Sequence, residues 1–372
     1  MKTNFVKLRW LFTMLLFVTT MIMPTMMLAK SIDLKIPEGD GAGTPYKIGT
    51  AEELYWFAGL VNGTLPGVKK DLSANAILTD DIIVNTGVLD PNKDLVSGND
   101  FIEWIPIGKS SSDDDAYTGT FDGNGHTISG LYFNKSNSWY VGLFGCIGAE
   151  GKISNVGVSD SYFQSSNCPY IGGVCGSNSG ELQNCSNSST VIGKENEYRI
   201  GGVCGDNSGT IKSCYNTASV SGQYSVGGVC GDNYEGPITN CYYLSGTVAD
   251  GKGGIGGKDD ENGKAVEMSK DRFKSGEVAW LLNGSKSVST EESTLAWYQK
   301  LGENADAYPV LKSTDHNTVY KAPLFSCDGT TRIGEYANKP EGDKLSHNYQ
   351  MAEKADEGTS NLYSEECAIC HN

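Results

Sequence analysis

Cysteine is the residue type whose spacing in this chain offers the clearest opportunity for chemistry. The spacing of the internal repeats aligns seven of the eleven cysteines in two columns: Cys146, Cys175, Cys204 and Cys230 in one, and Cys185, Cys214 and Cys241 in the other. Cysteines of exported proteins usually form disulfides. Side chains stacked on in-register parallel strands, however, have Cβ atoms about 4.8 Å apart, whereas disulfides need about 3.5–4.5 Å. The columns therefore favour buried free thiols that act as core hydrophobes, with ladder disulfides as the alternative.

A second group of metal-ligand residue types lies near the C-terminus. Cys327, His347, Cys367 and Cys370 form a four-ligand set, and the last two are separated by two residues. That short spacing is typical of zinc sites. A disulfide between Cys367 and either Cys370 or Cys327 is the alternative. A structural zinc ion is the only cofactor that the sequence indicates.

Paired carboxylates are a third candidate, since glycoside hydrolases use two acids about 5–9.5 Å apart. Asp206 and Asp232 would lie about 5 Å apart in adjacent coils, but both occur in Gly-Asp-Asn, which turn formation explains more simply. His126 is interpreted as a loop histidine. Arg199 is the only arginine between residues 121 and 255, which is little for a polysaccharide lyase. The sequence favours a non-catalytic protein, with a carbohydrate-active β-helix enzyme, either a lyase or a glycoside hydrolase, as the alternative.

Aromatic side chains beside the repeats are the candidates for ligand binding. Trp139, Tyr140, Tyr170 and Tyr198 each stand within two residues of the start of a repeated phrase. An aromatic ring offers a flat apolar face and tyrosine adds a hydroxyl, which suits sugar rings and protein anchors. The alternative is that the rings stack between coils and stabilise the fold without any ligand.

The element that must position these residues is a short internal repeat. VGLFG at Val141 returns as IGGVCGSNSG at Ile171, IGGVCGDNSG at Ile200 and VGGVCGDNYEG at Val226, at intervals of 30, 29 and 26 residues. Units this short cannot bury their own apolar face, so they stack on their neighbours. We expect a mostly β chain folded as a right-handed parallel β-helix or β-solenoid, with short capping helices and a loop-rich, cysteine-containing tail.

Spacing inside each coil predicts where the chain bends. Three residues separate Ile211 from Cys214, and because side chains on one side of a strand recur every two residues, a spacing of three requires a corner. The five predicted corner residues are Gly130, Asn155, Asn184, Ser213 and Asn240. Four of the five are Gly or Asn, the types that most readily accept left-handed backbone angles. The same spacing predicts one continuous file of core residues: Phe121, Cys146, Cys175, Cys204 and Cys230. Leu131 and Val156 are predicted to continue the other cysteine column.

Five regions follow from these patterns: a signal peptide at 1–29, an N-terminal cap with the first coils at 30–134, the repeats at 135–257, a C-terminal capping segment at 258–321 and a polar Cys/His tail at 322–372. Thr50 and Glu53 form a capping box that starts a predicted helix. Ser269 starts a second predicted helix, anchored by Phe273, Val278, Trp280 and Leu281. Short strands are predicted at 76–78, 82–84 and 104–107.

The first 29 residues and the overall charge determine the predicted location. Lys2, Lys7 and Arg9 precede an apolar run that ends at Ala29, as in a secretory signal peptide. The net charge of −16 disfavours binding to nucleic acid and to anionic membrane headgroups. The sequence after residue 29 has no second long apolar stretch, so we expect no transmembrane segment after cleavage. We expect a secreted or cell-surface protein whose partners are glycans or host or bacterial surface proteins.

The repeat itself carries a family resemblance. GGVCGDNSGTIKSCYNTASVSG resembles the GLUG motif, a glycine-rich repeat of exported bacterial surface proteins that also occurs in some immunoglobulin-cleaving metalloproteases. Family members often have GGLVG where this chain has GGVCG, so the cysteine columns are a departure. The resemblance implies a β-solenoid that serves as an adhesion or binding scaffold. The chain lacks HExxH, so the metalloprotease activity is not implied.

Overall fold

The chain forms a parallel β-solenoid of about seven turns, mostly β, with three short helices among the described residues. This computed structural model describes residues 32–112, 114–167, 170–194, 199–249, 252–256, 264–286, 295–302, 304–312, 314, 316–327, 329 and 331–345, and the backbone alone of 349–353 and 363–367. Parallel pairing of successive coils confirms the fold predicted from the repeats.

Three sheets run along the solenoid. The first, which we call the Tyr170 sheet, contains Tyr140–Val141, Tyr170–Gly172, Arg199–Gly201 and Ser225–Gly227. The second, the Cys204 sheet, contains Phe144–Ile147, Cys175–Asn178, Cys204–Asn207 and Cys230–Asn233. Each of these four coils therefore passes from the Tyr170 sheet to the Cys204 sheet through the repeated phrase.

The third sheet, the long sheet, has 14 strands and carries the rest of each coil. Its strands are Tyr46–Ile48, Ala76–Leu78, Ile82–Ile83, Thr120–Asp122, Thr127–Ser129, Tyr132–Ser136, Lys152–Ser166, Glu181–Lys194, Thr210–Lys212, Tyr215–Asn216, Val220–Ser221, Ile238–Thr239, Cys241–Leu244 and Ala265–Met268. The predicted strands at 76–78 and 82–84 are therefore present. Residues 104–107 do not form the predicted strand, and only Ile107 among them makes an isolated bridge, to Phe144.

The first cysteine file is only partly as predicted. Cys175, Cys204 and Cys230 pair in register, but Cys175 pairs with Phe144 on its other side, and Cys146 pairs with Ser177. The predicted places of Cys146 and Phe121 are therefore wrong, and Phe121 pairs with Ile153 in the long sheet. The turn between Ile147 and Ile153 is two residues longer than the turn between Asn178 and Leu182. Counting seven residues back from Ile153, as the repeat spacing predicts, therefore reaches Cys146, whereas the residue that pairs with Cys175 is Phe144, two positions earlier.

The second cysteine column and its corners agree better with the prediction. Cys185 pairs with Val156, and the Cys185 amide lies 3.3 Å from Sγ of Cys214. Four predicted corner residues have φ between 52° and 54°: Asn155, Asn184, Ser213 and Asn240. The prediction for Gly130 and Leu131 is wrong. Because Ser129 pairs with Ser159, these two residues lie at the next corner along the coil and not beside Asn155 and Val156. All seven repeat cysteines are free and buried.

Buried asparagines also tie the coils together. Nδ2 of Asn178 donates to Oδ1 of Asn207 at 2.8 Å, and Nδ2 of Asn207 donates to Oδ1 of Asn233 at 2.7 Å. Nδ2 of Asn207 also donates to the Gly209 carbonyl at 2.9 Å, which closes the turn. This file, which we call the asparagine ladder, satisfies polar groups that would otherwise be buried without partners.

The helix predicted at Thr50 is confirmed as α1, Ala51–Asn62. The Thr50 hydroxyl accepts from the Glu53 amide at 3.3 Å, and Gly63 ends the helix in the left-handed conformation with φ 65°. The ring centroids of Phe57 and Phe121 lie 6.0 Å apart. The apolar side of α1 therefore joins the core at the N-terminal end of the solenoid.

The second predicted helix is two helices in the structure. α2, Lys270–Lys274, is capped by Ser269 as predicted, and α3, Glu277–Leu282, follows it. Gly276 between them has φ 89°, a left-handed angle that interrupts a helix. Phe273 and Val278 are buried as predicted, whereas the other two predicted anchors, Trp280 and Leu281, are partly exposed.

Part of the described chain after α3 lies along the outer face of the long sheet. Residues 295–302 and 304–312, which we call the strap, contact the sheet at both ends. Nε1 of Trp297 donates to the Ser213 carbonyl at 3.1 Å, and the Tyr215 hydroxyl donates to the Pro309 carbonyl at 2.7 Å. At the other end, Nζ of Lys312 lies 2.6 Å from Oδ2 of Asp81. The strap therefore links a late coil to an early one.

Candidate binding surface

A row of stacked side chains begins the strands of the Tyr170 sheet. Tyr140, Tyr170 and Arg199 pair in register. The two tyrosine rings are parallel within 4° with centroids 4.9 Å apart, and Cζ of Arg199 lies 5.1 Å from the Tyr170 centroid. Cζ of Arg199 also lies 5.1 Å from the Tyr234 centroid, and Nη2 of Arg199 donates to the Tyr234 hydroxyl. The faces of Tyr140 and Tyr170 that meet in this stack are used within the fold, so the rings present mainly their edges and hydroxyls.

The residues just outside this row are the most exposed aromatics of the described chain. Trp139 is 64% exposed and Tyr224 is 45% exposed, and each immediately precedes a strand of the Tyr170 sheet. Tyr234 is 49% exposed. Three coil spacings of about 4.8 Å separate Trp139 from Tyr224, or about 14 Å along the axis. We call the two groups together the aromatic corner: Trp139, Tyr140, Tyr170, Arg199, Tyr224 and Tyr234.

The structure brings together three of the four aromatic residues predicted to bind ligand. Trp139, Tyr140 and Tyr170 lie at this corner, and Tyr198 lies outside the described residues. Sequence reasoning missed Tyr224 as a ligand candidate. Its signal was the register, because it occupies the position before Ser225 that Trp139 occupies before Tyr140.

An ion-pair cluster fixes Arg199 within the row. Its Nε lies 3.4 Å from Oδ1 of Asp206 and 3.1 Å from Oδ2 of Asp232, two acids that pair in register. Burial is the largest of the causes that raise the pKa of Asp206 to about 6, against the opposing attraction of Arg199. The carboxylates are only 13% and 19% exposed and both face the guanidinium. They are therefore engaged in positioning Arg199, a role that the interpretation as simple turn residues missed.

The other sequence candidates lie elsewhere. Cys327 is buried; His347 and Cys370 lie outside the described residues, and only the backbone of Cys367 is described. The tail zinc site therefore stays a prediction. Nδ1 of His126 lies 3.4 Å from Oδ1 of Asp81, on the long sheet and away from the aromatic corner.

The fold and this surface together define a parallel β-solenoid with an aromatic corner. Comparisons with known proteins find two sequence similarities, each over a short segment. The chain is 38% identical over 84 residues to "Halomucin" of Haloquadratum walsbyi. This match covers 23% of this chain and 1% of that protein. It is 33% identical over 78 residues to "Putative Gly-rich membrane protein" of Evansella cellulosilytica, which covers 21% of this chain and 9% of that protein. The matched segments are thus small parts of both relatives. No protein-family model matches the chain.

A solved structure is also similar to this chain. It is the crystal structure of a "putative immunoglobulin A1 protease" from Bacteroides ovatus, with a TM-score of 0.40 and 18% identity over 74% of this chain and 98% of that one. Among the helices of the described residues, none has the length and apolar character needed to cross a membrane.

Proposed function

We propose that the protein is an exported, non-catalytic binding scaffold of the GLUG-repeat type, displayed at the cell surface or secreted, whose aromatic corner binds glycans. One observation carries the proposal: Trp139 and Tyr224 expose 64% and 45% of their surface on the same corner of the solenoid. The signal-peptide pattern at 1–29 supports export, and the short similarity to a relative named as a membrane protein supports a place at the membrane.

The chemistry of the corner favours a neutral glycan. An exposed aromatic ring packs against the apolar face of a sugar. The hydroxyls of Tyr140 and Tyr234 already bond Ser111 and Arg199, and each retains capacity for one further hydrogen bond at the rim. Arg199 is already neutralised by two carboxylates, and the net charge of −16 disfavours polyanions. The rings of Tyr140 and Tyr170 are already held in their stack before binding, which lowers the entropic cost of association at that part of the corner. A separation of about 14 Å suits an extended oligosaccharide more than a single sugar.

The test is binding to a glycan array, with a panel of purified host surface proteins beside it. We expect saturable glycan binding that the double substitution of Trp139→Ala and Tyr224→Ala abolishes. Ile83→Ala is the matched control, because Ile83 is 62% exposed but lies on the long sheet; it should bind like the unsubstituted chain.

Other outcomes would contradict the proposal in distinct ways. Binding to proteins but to no glycan would show that the ligand is a protein. Glycan binding that survives the double substitution would show that the aromatic corner is not the binding site. Incubation with the bound polysaccharide should release no unsaturated or reducing sugar. Product release would instead establish the carbohydrate-active enzyme.

A further inference from the structure

A cavity lies between the strap and the long sheet, far from the aromatic corner. It has a volume of about 230 Å³. Its floor follows one outward-facing column of the sheet, in which Thr127, Gly157, Ser186 and Tyr215 pair in register. We call this cavity the strap cleft.

Small side chains in the column create the cleft. Tyr215 and the residue after it in the column, Tyr242, fill the space beneath the C-terminal segment. The preceding coils place only Ser186 and Gly157 there, so the strap crosses a gap. A Cβ atom on Gly157 would lie 3.0 Å from Cγ2 of Thr127 and 3.2 Å from Oγ of Ser186. The glycine therefore keeps the narrowest part of the floor open.

The lining combines an aromatic end, a hydroxyl-rich floor and a charged end. Tyr215 and Trp297 form the aromatic end. Ser159 and Ser188, which pair in register, add hydroxyls beside the Ser186 column. Each hydroxyl can both donate and accept a hydrogen bond.

The charged end of the cleft is balanced. Lys312 lies 2.6 Å from Asp81, and both the amide and the hydroxyl of Thr127 donate to the same carboxylate, at 2.8 and 3.2 Å. Burial opposes the charge of Asp81, but the hydrogen bonds from Lys312 and the Thr127 amide lower its pKa overall. His316 faces Asp306 at 2.8 Å. With each charged group already opposite a partner, the cleft favours a neutral polar ligand over an ion.

We propose that the strap cleft is a second binding site, which takes one neutral sugar residue. The ring would place its apolar face toward Tyr215 and the partly exposed Leu311, and its hydroxyls toward Ser159, Ser186 and Asp81. Trp297 is 1% exposed and packs against Tyr215 with ring centroids 5.1 Å apart, so it supports Tyr215 from within the fold. Drug-sized ligands occupy pockets of about 300–1,000 Å³, so this smaller volume matches a single ring. The site does not depend on the aromatic corner, so the two proposals stand or fall separately.

The test titrates the full chain with neutral monosaccharides, namely glucose, galactose, mannose and N-acetylglucosamine, by saturation-transfer NMR and calorimetry. We expect at least one to bind. Ser186→Leu places an apolar side chain on the floor and should abolish binding. Ser154→Leu is the matched control, because Ser154 lies on the same sheet but outside the cleft lining; it should bind normally.

A second substitution guards against a folding defect. Ser159→Ala with Ser188→Ala removes two hydroxyls without adding volume, and each lost hydrogen bond should weaken binding about three- to tenfold. Trp139→Ala with Tyr224→Ala should leave monosaccharide binding intact. The proposal fails if no monosaccharide binds the unsubstituted chain, or if Ser186→Leu, folded by circular dichroism, binds as tightly as Ser154→Leu.

Discussion

The asparagine ladder gives the sharpest test of what holds the coils in register. Asn207 is fully buried and makes three side-chain hydrogen bonds, two with the asparagines above and below and one with the Gly209 carbonyl. At about 1 kcal/mol for each bond, Asn207→Ala should lower the free energy of unfolding by about 3 kcal/mol. Equilibrium unfolding in urea, followed by circular dichroism, measures the change.

Asn207→Asp separates hydrogen bonding from packing, since it keeps the shape and replaces the donor with an acceptor. At neutral pH a carboxylate oxygen would face the Asn233 and Gly209 oxygens, so we expect a larger loss than for Asn207→Ala. Burial should raise the pKa of the new carboxyl, and its protonated form regains one donor. The loss relative to the unsubstituted chain should therefore shrink as pH falls.

The exposed neighbour provides the control for both substitutions. Ser208→Ala alters the same turn without touching the ladder, and it should change the free energy of unfolding by less than about 0.5 kcal/mol. If Asn207→Asp and Ser208→Ala had equal effects at neutral pH, the ladder would contribute nothing and the reasoning above would be refuted.

Two further predictions concern buried titratable groups. Burial above all raises the pKa of Asp206 from an ordinary 3.8 to about 6. Between these two pH values the folded chain keeps a proton that the unfolded chain has lost. The free energy of unfolding therefore falls as pH rises and Asp206 ionises. Asp206→Asn should therefore gain thermal stability relative to the unsubstituted chain from pH 4 to pH 7; a pH-independent difference would contradict this. Cys175, Cys204 and Cys230 are fully buried thiols, so these three should react with a thiol reagent only after unfolding. Rapid native-state labelling of any of the three, located by peptide mass mapping, would exclude the core packing described.

The agreement between sequence and structure is best where a repeated phrase has constant length. Val141, Ile171, Ile200 and Val226 begin the four phrases and pair in register as their spacing predicts. Cys146 was misplaced because the turn after its strand is two residues longer, and a turn on the surface can change length without disturbing the core. Spacing alone therefore fixes register only where the turns have equal lengths.

The candidate sites show a different limit. Tyr140 and Tyr170 were recognisable as neighbours because the same residue type recurs in one column. Arg199 continues that column with a different chemistry, so its place in the stack becomes visible only from the pairing. The strap cleft had no local signal at all, because Lys312 and Asp81 are 231 residues apart.

The contact between Lys312 and Asp81 has a consequence for how the molecule melts. An open stack of repeats behaves as a one-dimensional array in which terminal units fray first and the rest follow in turn. Here the strap joins an early turn to Tyr215 in a later one, so the first turns cannot peel away without releasing the strap at Asp81. Opening of the early turns is thereby linked to the strap, and the partly exposed ion pair adds about 1 kcal/mol or less to that link.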